Sequence, residues 1–227
     1  MRTRMSAYRI DPRTGLGVFR SGRQVTLADV KAFKDDAGSP ARETSCGEAR
    51  QAGMNMEPFA SMLQGGDRRS IGRAGEAVEN VRRAPRRFDE LWACLAHGDP
   101  VVRMRAVDAL EKITRFDAAP LACHKQALLA NTFDDGTPEV RWHLIAMLRR
   151  VPLDAAEVAG TLKRLDRLLH EDESRIVKTA ALQTAFELRF QSPGAQKTFA
   201  AMLAFALQSP WPSVRARARK LAWPNGK

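Results

Sequence analysis

One pattern recurs four times in this chain at nearly constant spacing, and it limits the fold more than any other feature. Val102, Val140, Val177 and Val214 stand 38, 37 and 37 residues apart. The residue after each is basic: Arg103, Arg141, Lys178 and Arg215. Four residues on come Ala106, Leu144, Ala181 and Ala218. Seven on come Ala109, Met147, Thr184 and Leu221, and eight on Leu110, Leu148, Ala185 and Ala222. These offsets share one face of an α-helix, and only Thr184 interrupts its apolar character. Pro100, Pro138 and Pro212 precede three of the valines by two residues, where a first helical turn tolerates proline. One residue earlier stand Asp99, Thr137 and Ser174, whose short side-chain oxygens suit an N-cap. Trp211 takes that place last and marks an atypical final unit.

Each of these helices follows another. Phe88, Leu91, Trp92 and Leu95 form a helical stripe within Phe88 to Ala96. The stretches 121–130, 158–169 and 199–207 take the same role in the next three units. A degenerate unit upstream has Asp67 as cap, a stripe of Ala74, Ala77, Val78 and Val81, and Ser70 at the valine's place. A single helical hairpin cannot bury its own apolar face, so such units stack and share a core.

Asp99-Pro100-Val101-Val102-Arg103-Met104-Arg105-Ala106-Val107-Asp108-Ala109-Leu110 resembles the second helix of the HEAT-repeat family, and the likeness recurs from about Met56 to Trp223. The period is longer than that of the phycobilisome-lyase relatives of these repeats. The resemblance implies an all-α fold, a right-handed superhelix (solenoid) of about four to five HEAT-like hairpins over residues 54–227. It also implies that the basic residue after each valine joins an acid near an adjoining turn, with Asp99, Asp135 and Asp172 in place for such a ladder.

Residues 1–53 differ, with scattered Gly, Ser and Pro and no sustained helical period. They read as a poorly structured extension. Within it lie a weak hairpin around Ser21-Gly22, a short helix from Leu27 to Phe33 capped by Thr26, and a linker from Asp35 to Gly53. An alternative start at Met54 or Met56 is compatible with this change of pattern.

The hydrophobic share of the 227 residues is 44%, with aromatics at 7%. Ala and Leu dominate it, which favours helix over strand. No apolar run reaches the roughly 20 residues of a membrane helix, and the N-terminus leads into no signal-like apolar segment. A cytoplasmic, monomeric protein is expected. Cys46, Cys94 and Cys123 lack metal-ligand spacing; Cys94 and Cys123 read as buried thiols, with His124 at the surface beside Cys123. His97, His124, His143 and His170 lie in four segments without a ligand pattern. No phosphate-binding loop, dinucleotide fingerprint or nucleophile elbow is present. Neither a cofactor, a metal nor a catalytic residue is therefore expected.

Net charge is +11, which points to an anionic partner or to an arginine-rich background. Arg68, Arg69, Arg73, Arg82, Arg83, Arg86 and Arg87 cluster against Glu76 and Glu79, and the stretch 209–227 holds five basic residues and no acid. The second helices should present the positions two, three, six, nine and ten residues after each valine. These are Met104, Arg105, Asp108, Glu111 and Lys112 in one unit, and Trp142, His143, Ala146, Arg149 and Arg150 in the next. The last unit gives Ala216, Arg217 and Lys220. Candidate partner-binding residues are accordingly Trp142, Arg149, Arg150, Arg105 and Arg217, since Trp and Arg anchor binding hot spots. The structural alternative packs Trp142 between units and leaves the two arginines solvating a helix C-terminus.

A protein-interaction scaffold that binds a partner protein or peptide is the first functional reading. The second is a nucleic-acid binder, possible through resemblance to the HEAT-like alkylpurine DNA glycosylases. In that family a Trp is followed four residues later by an essential Asp. Here the matching position after Trp142 is Ala146, and after Trp92 it is Ala96.

Overall fold

The computed structural model describes residues 8–10, 17–19, 56–67, 70–134 and 137–222. The chain divides into two compact units, Met1–Arg50 and Gln51–Lys227. In the first, β1 (Tyr8–Ile10) pairs antiparallel with β2 (Gly17–Phe19), with Arg9 opposite Val18. Gly17–Phe19 thus joins the segment before it, and the expected hairpin around Ser21-Gly22 lies outside the described residues. The expected Leu27–Phe33 helix and the linker beyond it lie outside the described residues.

The second unit is all-α among its described residues. Its helices are α1 (Phe59–Met62), α2 (Ala74–Arg83), α3 (Phe88–Ala93), α4 (Pro100–Phe116) and α5 (Leu121–Asp134). They continue with α6 (Pro138–Leu148), α7 (Ala155–Glu171), α8 (Arg175–Leu188), α9 (Ala195–Leu207) and α10 (Pro212–Ala222). Short 3₁₀ turns, Pro85–Arg87 and Cys94–Ala96, flank α3. The four repeat valines all lie in the first turn of α4, α6, α8 and α10 and are at most 1% exposed.

Contacts follow the repeat. Each of α4, α6, α8 and α10 packs on its own preceding helix, and within the series α4 packs on α6, α6 on α8 and α8 on α10. In α4 the buried stripe is Val102, Ala106, Ala109, Leu110 and Ile113, and in α6 it is Val140, Leu144, Met147 and Leu148. Two apolar clusters result. One runs from Phe59 to Val151 and the other from Ile145 to Leu221, so α6 contributes to both. Thr184, the polar residue in the stripe, is 1% exposed. Its hydroxyl donates to the Ile145 carbonyl of α6 at 3.1 Å, which offsets the cost of burying a polar group.

The caps are only partly as expected. Asp99 accepts a hydrogen bond from Val101 N, whereas Ser174 makes no side-chain cap and Asp172 instead accepts from Ser174 N. In α7, Asp154 and Glu157 form a reciprocal capping box. The degenerate first unit starts later than its sequence suggests. Its helix begins at Ala74, so Ser70 cannot occupy the valine's place and Asp67 does not cap it. Ala74, Ala77 and Val81 are its buried residues.

Three of the four basic residues after the valines have a role different from the expected ladder. Arg103 donates to the carbonyls of His97 and Gly98 at 2.7 and 3.1 Å. Lys178 donates to Leu169 and His170, and Arg215 to Ser209 and Pro210. Lys178 thus bonds the last turn of the first helix in its hairpin, where orphan acceptors and the negative end of the macrodipole favour a cation, while Arg103 and Arg215 bond carbonyls of the connections just beyond theirs. Only Arg141 pairs with an expected acid, Asp172. Asp135 lies outside the described residues.

The cysteine expectation is half reversed. Cys94 is buried, and burial pushes its thiol pKa up, but Cys123 is exposed. Its neighbour His124 turns inward, stacking on Trp92 at 4.5 Å between ring centres and bonding Asp89 at 2.8 Å.

Candidate functional site: a groove across the second helices

The helices α4, α6, α8 and α10 together line a groove of about 650 Å³. Trp142 and Ala146 come from α6, and Ile176, Ala180, Gln183 and Glu187 from α8. Glu111 and Arg115 border it from α4, and Arg217 and Lys220 from α10. The repeat makes this arrangement. Residues six positions after Val140, Val177 and Val214 return to the same side of their helices, so Ala146, Gln183 and Lys220 all reach the groove.

Two polar networks cross-link the helices along it. Glu111, only 2% exposed, is held from one side by Arg115 of its own helix at 2.6 Å and from the other by Arg150 of α6 at 2.5 Å. Arg150 also donates to the Glu111 carbonyl and the Thr114 hydroxyl. Burial pushes the Glu111 carboxyl up, but the bonds from Arg115 and Arg150 outweigh it and hold it below the ordinary value. The second network runs through three helices. Arg149 donates to Glu187 at 2.9 Å, Gln183 donates to the same carboxylate at 2.7 Å, and Arg217 donates to the Gln183 carbonyl oxygen at 3.1 Å.

The five sequence-predicted residues therefore separate. Trp142 and Arg149 line the groove together, with Arg217 across from them. Trp142 is half-buried, packs on the second apolar cluster and stacks on His143. Arg150 is tied to Glu111 between α4 and α6 and serves as a cross-link. Arg105 was expected to be exposed and is instead 2% exposed. Its guanidinium donates to the carbonyls of Leu63, Gln64, Gly65, Asp67 and Ser70. The loop after α1 covers it, and the fit leaves no room for a side chain at Gly72. There φ is +50° and a Cβ would meet Arg105 Cζ at 2.8 Å. Glu111 and His143, expected on the surface, are buried as well.

Sequence reasoning passed over α8. Applying the same offsets to Val177 yields Thr179, Ala180, Gln183, Phe186 and Glu187, and all five line the groove. Ile176 lies one residue before its valine, outside those offsets, and is 48% exposed.

No acid stands where glycosylase-like chemistry would need one, since Ala146 lines the groove four residues after Trp142. Asp108 faces His143 at 3.6 Å and Lys112 at 2.7 Å. Burial raises its pKa, but the bonds from His143 and Lys112 prevail and keep it low, which suits a structural anion more than a general acid. No group of three His, Cys, Asp or Glu with metal-binding geometry occurs among the described residues. No described helix is long and apolar enough to cross a membrane. Comparison with protein-family models, with curated proteins and with solved structures finds no match.

Proposed function

We propose that residues 54–227 form a HEAT-type right-handed solenoid that acts as a protein-binding scaffold, with the groove on its concave side as the docking surface. In this reading it is a cytoplasmic monomer that needs no cofactor and catalyses no reaction. Support for the fold comes from the constant repeat spacing and from contacts that join each second helix to the next.

One observation carries the functional reading: the groove mixes apolar surface with charges of both signs, its two carboxylates already paired. Trp142, Ala146, Ile176 and Ala180 supply apolar area, while Glu111 and Glu187 interrupt the cations. A phosphate backbone favours a continuous row of cations, because its affinity comes from many phosphate contacts. Two carboxylates in the path oppose that. A peptide with apolar anchors and a polar rim fits the pattern of protein interfaces.

Selection from a random displayed-peptide library tests the reading. The wild-type chain should enrich a recognisable family of peptides. Ala146→Arg, which fills the groove, and Ile176→Glu, at an exposed site, should each abolish that enrichment while leaving the melting temperature unchanged. Enrichment that survives both substitutions would remove the groove from the account.

A further inference from the structure

The charges in the groove are unequally satisfied, and this selects among peptides. Four cations line it, Arg115, Arg149, Arg217 and Lys220, against two carboxylates, Glu111 and Glu187. Each carboxylate already has a cation partner. Glu111 takes Arg115 and Arg150, and Glu187 takes Arg149 and Gln183. The α10 end is different. Arg217 is bonded to a neutral amide oxygen, and Lys220 is exposed and has no ion-pair partner among the described residues. No acid lies in the first turn of α10 to compensate them. Beside this unbalanced pair the groove is apolar, through Ile176, Ala180 and Leu221.

We infer that the groove binds an acidic amphipathic peptide segment whose carboxylate pairs with Arg217 and Lys220 and whose apolar side chains cover Trp142, Ile176 and Ala180. This rests on the scaffold reading above and adds the chemistry of the partner. Charge complementarity carries the choice. A basic segment would meet two surplus cations and only carboxylates that already hold an arginine, and like charges across an interface are disfavoured. A guanidinium with a carboxylate can form paired hydrogen bonds that a neutral side chain cannot. Two unbalanced cations are also few for a nucleic acid, whose affinity is built from many phosphate contacts.

The test repeats the peptide selection with Lys220→Glu and with Arg217→Gln combined with Lys220→Gln. Both act on groove-side residues outside the apolar core, and thermal melting monitors the fold. Peptides enriched by the wild-type chain should be net acidic with apolar anchors. Their affinity should fall at least about tenfold in the double variant, which corresponds to about 1.4 kcal/mol. Lys220→Glu should turn the selection toward cationic peptides. Neutral or basic peptides that bind the wild-type groove, and are lost in Ala146→Arg, would overturn the acidic partner and leave the scaffold standing. Absence of any groove-dependent peptide would overturn both. Duplex DNA binding that depends on Arg217 and Lys220 would likewise overturn the inference in favour of nucleic acid.

Discussion

Arg105 and Arg217 stand at the same place in their repeats, three residues after Val102 and Val214, yet they live in opposite surroundings. Arg105 is 2% exposed and anchors five backbone carbonyls of the loop after α1. Arg217 is half-buried at a groove edge and holds one amide oxygen. The helix positions each side chain in the same direction; what packs against that side is decided by neighbouring segments. At the N-terminal end a loop closes over the second helices, while farther along the same face is open. Repeat position therefore fixes direction, and tertiary covering fixes role.

Arg105→Met should break this comparison most severely. It strands five carbonyls at once, that of Leu63 buried, and loss of a buried charged donor costs on the order of 3–5 kcal/mol. Chemical denaturation should show that loss, with the Phe59–Met62 and loop region deprotected first in hydrogen exchange. Retention of wild-type stability would mean that the loop does not depend on this guanidinium.

Glu111→Gln comes next, at about 3 kcal/mol, because it leaves Arg150 buried with a weakened partner. The effect carries a pH signature. The Glu111 carboxyl is held below its ordinary value of 4.5. Its ion pairs thus stabilise the fold fully above that value and are lost as the pH falls through the lowered one. Melting temperatures across an acid series should fall for the wild-type chain and fall less steeply for the variant. Parallel curves would assign acid sensitivity to other carboxylates, such as Asp108 and Glu90, which are also held low.

A smaller effect, about 1 kcal/mol each, is expected for Arg103→Met and Arg215→Met, which remove a charged donor from the carbonyls of the connection within each hairpin. Similar losses at the two sites would show that Arg103 and Arg215, unlike Arg105 and Arg217, share one role at one repeat position. The smallest change belongs to Lys220→Gln, an exposed site, where stability should shift by less than about 0.5 kcal/mol.

The sequence made the second helices plain because their apolar stripe must be buried in every unit, and Val102, Val140, Val177 and Val214 all are. It also placed Trp142, Arg149 and Arg217 on one side. It could not separate Arg105 from them, because the loop from Leu63 to Gly72 has no periodicity that would announce where it lies. It misjudged the partners of Arg103 and Arg215, since a backbone carbonyl leaves no mark in the sequence while an acid such as Asp99 does. Cys123 and His124 were exchanged for a similar reason. They are adjacent on α5, and a small shift in helix phase decides which of the two faces Trp92.

The central claim is that the groove serves a protein segment and not a nucleic acid. Titration of duplex DNA across a range of ionic strength, on the wild-type chain, Trp142→Ala and Ala146→Arg, tests it most directly. The account predicts weak, salt-sensitive binding by exposed cations such as Arg83, Arg86 and Arg219, unchanged by either groove substitution. Tight binding whose salt dependence reports about 6–10 phosphate contacts, and which both substitutions abolish without lowering the melting temperature, would contradict it.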